Sequence, residues 1–284
     1  MTSAGRFAPS PSGELHVGNL RTAILAWLFA RSTGRQFLMR VEDLDRARAG
    51  AEAEQLRDLA AIGVTWDGDV VRQTDRGPLY ADAIARLAAA GLTYECFCTR
   101  REIQEAPSAP HAPQGAYPGT CRDAMTVERT FPESYPLPED AFLRLNMRQA
   151  CSLAGKFQHR ITDANTPRQW IAGFQETGAS PDGSTGRIEF TPEEMLDTVG
   201  DIIVARKDMG TSYHLSVVVD DAAQGVTHAV RGQDLFDATK IHVVLQGVLG
   251  LPTPVYHHHR LIRDKQGKRL AKRDDARAIA RYRA

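Results

Sequence analysis

The stretch PSPSGELHVGNLR, which runs from Pro9 to Arg21, joins a short apolar segment to a helical pattern. Gly13 permits a turn in it, and Gly18 permits close approach of the backbone to a ligand. Apolar residues then recur at the spacing of one helix face. They are Leu20, Ala23, Ile24, Trp27 and Leu28. The stretch therefore predicts a loop between a strand and a helix.

A second strand is predicted after this helix. Gly34 ends the helical pattern, and the apolar run at 37–39 predicts a buried strand. A strand, a helix and a strand in this order predict a βαβ unit, and hence a parallel sheet with a right-handed crossover. Further helices are predicted at 51–62 and 79–90.

The pattern of the chain changes after residue 95. The segment 96–121 holds three of the four cysteines and a proline-rich loop. The α/β pattern returns with apolar runs at 202–204 and 215–219 and a helix around 238–249. We therefore predict one α/β domain interrupted by an inserted domain. The predicted boundaries are 1–95 and 191–284 for the two halves of the α/β domain and 96–190 for the insertion.

The composition indicates a globular protein of a reducing compartment. Lysine plus arginine number 35 and aspartate plus glutamate also number 35, so the chain as a whole is not a polycation. Four cysteines in 284 residues do not make a disulfide scaffold. No stretch resembles a signal peptide or a membrane span, and we therefore expect a cytoplasmic protein with no membrane partner.

Basic residues are concentrated near the end of the chain. From Arg260 to Ala284, ten lysines and arginines stand against three aspartates, a surplus of seven. This charge suggests contact with a polyanion, either nucleotide phosphates or a nucleic-acid backbone. A solvated charged surface explains the same composition, and charge alone does not separate the two.

His16 stands directly before the first predicted helix. The first turn of a helix offers N–H groups without intrahelical partners and the positive end of the helix dipole. An imidazole beside such a helix end suits a phosphate group, and we predict ATP phosphates as its ligand. The alternative is a plain strand–helix turn with an incidental histidine. The coincidence of glycine, proline and histidine at the helix start favours the phosphate site.

A second segment with the same chemistry is DKQGKRLAKRDD, from Asp264 to Asp275. Its glycine hinge and the basic side chains of Lys268, Arg269, Lys272 and Arg273 fit a loop that closes over a triphosphate. Charged loops are usually just solvated, so this segment alone is weak evidence for a phosphate site. The presence of the Pro9–Asn19 loop in the same chain strengthens that interpretation.

Together these segments resemble the two signature motifs of class I aminoacyl-tRNA synthetases. His16-Val17-Gly18-Asn19 resembles HIGH, and Arg269-Leu270-Ala271-Lys272-Arg273 resembles KMSKS, with departures at its first and third positions. RFAPSPSGELHVGNLRTA, the stretch 40–45, SYHLSVVVDD and VTHAVRGQD are similar to the glutamyl-tRNA synthetase branch. The resemblance implies a Rossmann-like catalytic domain with a parallel sheet and an inserted domain for the tRNA acceptor end.

The resemblance also implies a reaction. A carboxylate of glutamate attacks the α-phosphorus of ATP and expels pyrophosphate, a step that depends on positioning and charge stabilisation. By the motif match, His16 and Lys272 are the catalytic donors to phosphate oxygens, with Mg²⁺ on the phosphates. The implied ATP-binding residues are Pro9, His16, Gly18, Asn19, Lys268, Arg269 and Lys272.

A pocket for L-glutamate is implied as well. Two carboxylates and one ammonium require two cations and one anion, so we expect Arg6 and Arg231 to bind carboxylates and Glu42 to face the ammonium. Which arginine takes the side-chain carboxylate is left open, and a surface ion pair is the simpler interpretation of each arginine alone. The implied pocket residues are Arg6, Phe7, Ala8, Pro9, Ser10, Glu42, Tyr213 and Arg231.

Three cysteines lie within 26 positions and suggest a structural zinc site, although three buried thiols explain them as well. Chemistry alone favours His111 as the fourth ligand. The sequence YPGTC instead resembles short paralogues of glutamyl-tRNA synthetase, in which a tyrosine four positions before the last cysteine completes the set. We therefore predict that Zn²⁺ staples the inserted domain. The predicted ligands are Cys96, Cys98, Tyr117 and Cys121.

Eleven residues follow Arg273, which leaves no room for the helical domain that reads the anticodon in complete glutamyl-tRNA synthetases. The resemblance therefore points to the short paralogues, which transfer glutamate to the queuosine base of tRNA(Asp), and implies activation without bound tRNA. Three alternatives stay open: a truncated glutamyl-tRNA synthetase that charges tRNA(Glu), another nucleotidyltransferase, and an inactive tRNA-binding paralogue. No exposed apolar stripe stands out, and we expect a monomer.

Overall fold

The computed structural model describes residues 3–99, 102, 117, 119–124, 141–160 and 169–263. The strands in these ranges are β1 Ala4–Phe7, β2 Gln36–Val41, β3 Val71–Arg72, β4 Thr93–Cys96, β5 Phe142–Leu145, β6 Gln158–Arg160, β7 Gln169–Glu176, β8 Gly186–Phe190, β9 Ile203–Arg206, β10 Val226–Gly232 and β11 Val255–His259. The α-helices are α1 Val17–Arg31, α2 Ala51–Ala61, α3 Gly77–Ala89, α4 Thr120–Ala124, α5 Met147–Leu153, α6 Pro192–Thr198, α7 Tyr213–Ala223 and α8 Phe236–Val248.

The main sheet confirms the predicted parallel arrangement. Its strand order is β3-β2-β1-β10-β11-β7-β6, with β8 paired to β7. Each neighbouring pair from β3 to β7 in this order is parallel, including β1 and β2, which flank α1. The expected βαβ unit is therefore present at the start of the chain, and β1 lies next to β10 in the middle of the sheet.

The face by which α1 packs differs in part from the predicted one. Its fully buried residues are alanines, Ala23, Ala26 and Ala30, whereas Ile24 and Leu28 are 38% and 46% exposed. A Cβ on Gly5 of β1 would lie 3.5 Å from Cβ of Ala30, an ordinary contact distance. Small side chains allow the helix to approach the sheet this closely. The predicted face is therefore confirmed in part: Ala23 is in the core and Leu20 and Trp27 pack against it, whereas Ile24 and Leu28 do not.

A second sheet consists of β4, β5 and β9, paired antiparallel in the order β4-β5-β9. The sheets do not divide along the predicted domain boundaries, because β7 and β8 extend the main sheet although they lie within 96–190. The boundaries at residues 95 and 190 stay a prediction. The main sheet takes strands both from the predicted α/β halves and from the predicted insertion.

The apolar run at 215–219 is helical rather than extended. It lies within α7, whose N-cap Ser212 accepts a hydrogen bond from the backbone N–H of Leu215. Seven consecutive residues of this helix, 215–221, are buried. The helix therefore has no solvent-facing side, and the sequence does not show the alternation of apolar and polar residues that marks a surface helix. Among the described residues, no helix has the length and apolar character to span a membrane.

Candidate active site

A cavity of about 470 Å³ lies where β1, β10 and β11 end in the middle of the main sheet. Crevices at the carboxyl ends of parallel strands are common binding sites in α/β proteins. Lys268, Arg269 and Lys272 lie outside the described residues. The other residues predicted to bind glutamate or ATP all line the cavity, namely Arg6, Phe7, Ala8, Pro9, Ser10, His16, Gly18, Asn19, Glu42, Tyr213 and Arg231.

His16 is the N-cap residue of α1, and its ring fixes the start of the helix. Its Nδ1 accepts hydrogen bonds from the backbone N–H groups of Gly18 and Asn19, at 3.0 and 3.3 Å. Asn19 returns the contact, since its Oδ1 accepts from the backbone N–H of His16 at 3.3 Å. Because Nδ1 is an acceptor, the proton of the neutral ring belongs on Nε2, which makes Nε2 the donor of this side chain.

Gly18 makes room for the His16 ring and also lines the cavity. A Cβ on Gly18 would lie 2.7 Å from Cε1 of His16, so any larger residue would displace the ring. The N–H groups of Gly18 and Asn19, which were expected to have no partner, both donate to Nδ1 of His16. That expectation is wrong at these two positions, and His16 itself lines the cavity.

The loop between β1 and α1 is held by Gln55 of α2. The side-chain amide of this buried residue donates to the carbonyl oxygen of Gly13 at 2.6 Å and to that of Ser10 at 3.2 Å. Gly13 has a φ of +132°, which confirms the predicted turn and requires glycine. Sequence reasoning missed Gln55, because a polar residue on a helix gives no local signal of a contact some forty residues away.

Arg6 and Arg40 share one carboxylate beside the cavity. Asp221 accepts hydrogen bonds from Nε and Nη2 of Arg6, both at 3.1 Å, and from Nη1 of Arg40 at 2.7 Å. Burial alone would raise the pKa of Asp221, but the charges of Arg6 and Arg40 outweigh it and lower the pKa to about 2. Arg6 therefore lines the cavity with its charge already balanced by an acid of the protein.

The neighbouring Asp220 ties α7 to α3 and to the turn before it. Its carboxylate accepts from Arg76 Nε at 2.5 Å, from Gln73 Nε2 at 2.8 Å and from Tyr80 Oη at 2.9 Å. Sequence reasoning noted this pair of aspartates after an apolar run but assigned it no role. The sequence did contain a signal for this role, namely two adjacent aspartates at the end of an apolar run. Carboxylates that are buried there require hydrogen-bond donors from other segments.

Glu42 and Tyr213 also line the cavity. Burial raises the pKa of Glu42, and the charges of Arg40 and Arg6 oppose this. Burial also raises the pKa of Tyr213 to about 12, and the charge of Glu42 adds to the effect. Tyr213 is thus a neutral phenol, and a cationic group placed beside Glu42 would favour the ionised carboxylate.

Arg231 near the end of β10 is 3% exposed and presents a charge of a different kind. Its Nε, Nη1 and Nη2 donate to His258 at 3.0 Å, to His242 at 3.2 Å and to Thr239 at 2.5 Å. Within the described residues, none of these hydrogen-bond partners is an acid. Arg231 therefore brings positive charge to the cavity with neutral groups around it, in contrast to Arg6.

A second cavity of about 420 Å³ adjoins the first. Ser10, Glu42, Arg46 and Tyr213 line both cavities and form their common wall. Arg144, His214 and Ser212 line the second cavity and not the first.

The predicted metal ligands also come together. One Sγ atom each from Cys96, Cys98 and Cys121 lies within 4.8 Å of the others. The phenol oxygen of Tyr117 lies 3.5 Å from Sγ of Cys98 and accepts from the backbone N–H of Cys121 at 2.8 Å. Three thiols and one phenol oxygen around one point fit a tetrahedral zinc site. His111, the reserve ligand, lies outside the described residues.

The three consecutive histidines of β11 point to different surroundings, as alternation along a strand requires. The ring of His257 packs against Phe29, with centroids 4.2 Å apart, and contacts Thr177. His258 binds Arg231 within the core, and His259 contacts Thr22 of α1 at 2.9 Å and lines the first cavity.

Comparison with known proteins places the chain in a family. The catalytic-domain model of the class I tRNA synthetases (E and Q) matches residues 4–147 and 171–284. A glutamyl-Q tRNA(Asp) synthetase of Rhodobacter capsulatus is 54% identical over 98% of this chain and 94% of its own length. A protein of the same name from Nocardia farcinica is 49% identical over 98% of this chain and 78% of its own length.

Solved structures share the fold at low sequence identity. The glutamate-tRNA synthetase of Elizabethkingia anophelis superposes with a TM-score of 0.69 at 22% identity, over the whole chain. The methionyl-tRNA synthetase of Mycobacterium tuberculosis superposes with a TM-score of 0.58 at 12% identity. The chain spans about half the length of the glutamate-tRNA synthetase, 54%. By the family match and its curated relatives, the chain belongs to the class I tRNA synthetases (E and Q), in the branch of the glutamyl-Q tRNA(Asp) synthetases, and is a ligase.

Proposed function

We propose that the chain activates L-glutamate with ATP to glutamyl-adenylate and transfers the glutamate to the queuosine base of a tRNA(Asp). The observation that carries the proposal is one shared cavity, in which two arginines and an acid lie beside a histidine whose Nε2 is a donor. The names of the curated relatives, which specify glutamyl-Q and tRNA(Asp), support the choice of amino acid and of tRNA.

The charges of the pocket match those of glutamate. Arg231, which has neutral partners, is the stronger electrostatic anchor for a carboxylate, whereas Arg6 offers a guanidinium already paired with Asp221. Glu42 receives the ammonium, which favours its ionised form against the effect of burial. Phe7, Ala8, Pro9 and Ser10 supply the wall between these groups.

In the activation step, a carboxylate oxygen of glutamate attacks the α-phosphorus of ATP. A new P–O bond forms, and the bond to pyrophosphate breaks. Negative charge on the phosphate oxygens is stabilised by donors that are already aimed at them. His16 supplies one such donor, and Lys272 with Lys268 and Arg269 supplies more from a segment outside the described residues. Mg²⁺ on the phosphates neutralises part of the remaining charge.

In the transfer step, a hydroxyl oxygen of the queuosine base attacks the carbonyl carbon of the adenylate. An ester bond forms, AMP leaves with the electrons of the broken C–O bond, and the proton of the hydroxyl passes to the phosphate of the leaving AMP or to water. The second cavity shares Glu42 and Tyr213 with the first and gives the acceptor base a route to that carbonyl.

An exchange assay tests the proposal. The protein is incubated with ATP, labelled pyrophosphate and each amino acid, without tRNA, and we expect exchange that depends on glutamate. Labelled glutamate is then offered with tRNA(Asp) that carries queuosine, with the same tRNA lacking it, and with tRNA(Glu). Transfer to the first of these supports the proposal. Absence of exchange with every amino acid, or transfer to the 3′ end of tRNA(Glu), overturns it.

Replacement of Arg231 by alanine is expected to raise the KM for glutamate in this exchange about 10- to 100-fold, because a charge-assisted carboxylate contact is lost. The KM for ATP should change little. Arg231→Lys is the matched control, since it keeps the charge and loses the two-pronged geometry, and it should fall between the two. Equal effects on the KM for glutamate and the KM for ATP would contradict the assignment of Arg231 to glutamate.

The cysteine cluster and Tyr117 form the proposed zinc site. Zinc bound there would hold the second sheet against the segment that follows β4. Tyr117 links the two, because it pairs with Gly200 in an isolated bridge and its ring lies 3.9 Å from the guanidinium carbon of Arg144. Zinc would bind through the thiolates and the phenol oxygen and thereby fix this ring in place.

Metal analysis tests the zinc site. We expect about one zinc ion per purified chain, its loss in Cys121→Ser, and a lower melting temperature for that variant, because a structural metal contributes folding free energy. Cys151→Ala is the matched control, since Cys151 is buried in the main apolar core away from the cluster and should keep its zinc. A zinc content unchanged in Cys121→Ser would remove Cys121 from the ligand set.

A further inference from the structure

The guanidinium of Arg231 is held by a chain of neutral side chains. Arginine carries five N–H donors, and three of them are used by His258, His242 and Thr239. One N–H remains on Nη1 and one on Nη2. These two N–H groups are available to a carboxylate in the first cavity, which Arg231 lines.

The hydrogen bond from Arg231 fixes the tautomer of His258. An arginine donates and never accepts, so Nε2 of His258 must accept from Nε of Arg231. The proton of the neutral ring then lies on Nδ1, which contacts Oε2 of Glu176 at 2.5 Å. Both His258 and Glu176 are buried, with exposures of 1% and 0%.

Glu176 in turn is fixed by the backbone. Its Oε1 accepts from the N–H groups of Gly178 at 2.7 Å and of His258 at 2.9 Å. The close approach there requires glycine, because a Cβ on Gly178 would lie 2.2 Å from the carbonyl oxygen of His258. The strands β7 and β11 therefore clamp the carboxylate, and the carboxylate orients the His258 ring.

A second arm of the chain runs through α8 and α7. Nη1 of Arg231 donates to Nδ1 of His242, so the proton of this ring lies on Nε2, which contacts Nδ1 of His214 at 3.3 Å. Burial, with the charge of Arg231 second, lowers the pKa of both His242 and His214, the latter to about 4. All three histidines thus support Arg231 as neutral rings.

We propose that His258 and Glu176 are positioning residues for the amino acid: they aim the two remaining N–H groups of Arg231 at a carboxylate of glutamate, while no acid contacts the guanidinium directly. An acid in direct contact, like Asp221 at Arg6, would orient the guanidinium and would also form an ion pair with it. The imidazole ring inserted between Glu176 and Arg231 separates these two effects. The inference rests on the proposed function, in which Arg231 binds glutamate.

Two substitutions of His258 separate its two hydrogen bonds. His258→Gln keeps a side-chain oxygen near the position of Nε2, which can still accept from Arg231, and loses the contact with Glu176. His258→Asn keeps a polar group near Nδ1 and loses the acceptor for Arg231. We expect His258→Asn to raise the KM for glutamate about tenfold or more and His258→Gln to raise it less, with kcat and the KM for ATP nearly unchanged in both.

His257→Ala is the matched control, because His257 is the neighbouring residue of the same strand and packs against Phe29 on the other side. It should keep the wild-type KM for glutamate. Equal KM values for glutamate in His258→Asn and wild type, in folded proteins, overturn the proposal, as does a parallel rise of both KM values. If wild type shows no exchange at all, the proposed function fails, and the next measurement still tests the positioning.

Nitrogen-15 NMR of histidine-labelled protein reads the tautomer directly. We expect one histidine, absent from the His258→Gln spectrum, with its proton on Nδ1 and an acceptor Nε2. In Arg231→Ala the Nε2 signal of this residue should shift because its donor is gone. A His258 ring protonated on Nε2 in the wild-type protein would show that it does not accept from Arg231, and would overturn the inference independently of any activity.

Discussion

Replacement of His16 by alanine is expected to lower the rate of glutamate-dependent ATP–pyrophosphate exchange about 100- to 1000-fold, with a modest loss of glutamate binding. The geometry gives the reason: Nδ1 is engaged with the helix N–H groups, so Nε2 carries the proton and is the donor toward the phosphates. Loss of one preorganised donor to developing negative charge has effects of this size in other enzymes. Initial rates at saturating glutamate and ATP measure the effect.

The same substitution also removes the N-cap of α1, and a second variant separates the two roles. Asparagine is among the best N-cap residues, so His16→Asn should restore most of the stability, about 1 kcal/mol, that His16→Ala loses. It cannot place a donor where Nε2 lies, and exchange should stay low. Recovery of exchange in His16→Asn would mean that His16 acts mainly as a cap, and the assignment of His16 to catalysis would then be dropped.

Replacement of Asp221 by asparagine is expected to lower the free energy of unfolding by about 3–5 kcal/mol, because it leaves Arg6 and Arg40 buried without their shared acid. For a chain of this size, such a change corresponds to a drop of roughly 10 °C in melting temperature. The amide can accept one hydrogen bond but faces the other arginine donors with its own N–H groups. Denaturant titration and thermal melting at neutral pH measure the effect.

The pKa of Asp221 gives this prediction a pH dependence. Since the arginines lower the pKa to about 2, against 3.8 for the ordinary side chain, the ionised form stabilises the fold above about 3.8. That contribution is lost as the pH falls from 3.8 toward 2, so the difference between Asp221→Asn and wild type should narrow over this range. A difference that grows on acidification would contradict the ion-pair explanation.

Asp208→Asn is the matched control for Asp221. Asp208 also pairs with an arginine, Arg206, at 2.5 Å, but its side chain is 61% exposed. Water screens such a pair, and its removal should cost less than about 1 kcal/mol. Equal losses of stability in the two variants would show that burial does not set the strength of the Asp221 pair.

Local sequence was enough to predict part of the fold and much of the cavity wall. The βαβ unit followed from apolar runs around the Pro9–Arg21 stretch, and the parallel pairing of β1 with β2 confirms it. The packing face of α1 followed only in part, because alanines let the helix approach the sheet closely, whereas periodicity favours the largest apolar side chains. The helical state of 215–219 was also missed, since a helix buried all round shows no polar period.

The residues of the cavity could be named from sequence because most belong to short continuous motifs. Arg6 to Ser10 follow β1 directly, and His16 to Asn19 open the next helix, so chain continuity alone brings them to one edge of the sheet. Tyr213 and Arg231 came from the family resemblance, and the structure brings them to the same cavity. That they bind glutamate and ATP stays a prediction for the assays above.

The chemical groups of the site can be read from local motifs: two arginines and an acid for glutamate, and a histidine at a helix start for phosphate. The surroundings of each group, and hence the charge it presents, come from the fold. Arg6 is neutralised by Asp221, which lies 215 positions away, and Arg231 is held by His258 and His242 from other elements and keeps its charge. The physical reason is that burial and hydrogen bonding set the charge that a side chain presents, and both come from segments that are adjacent only in the folded chain.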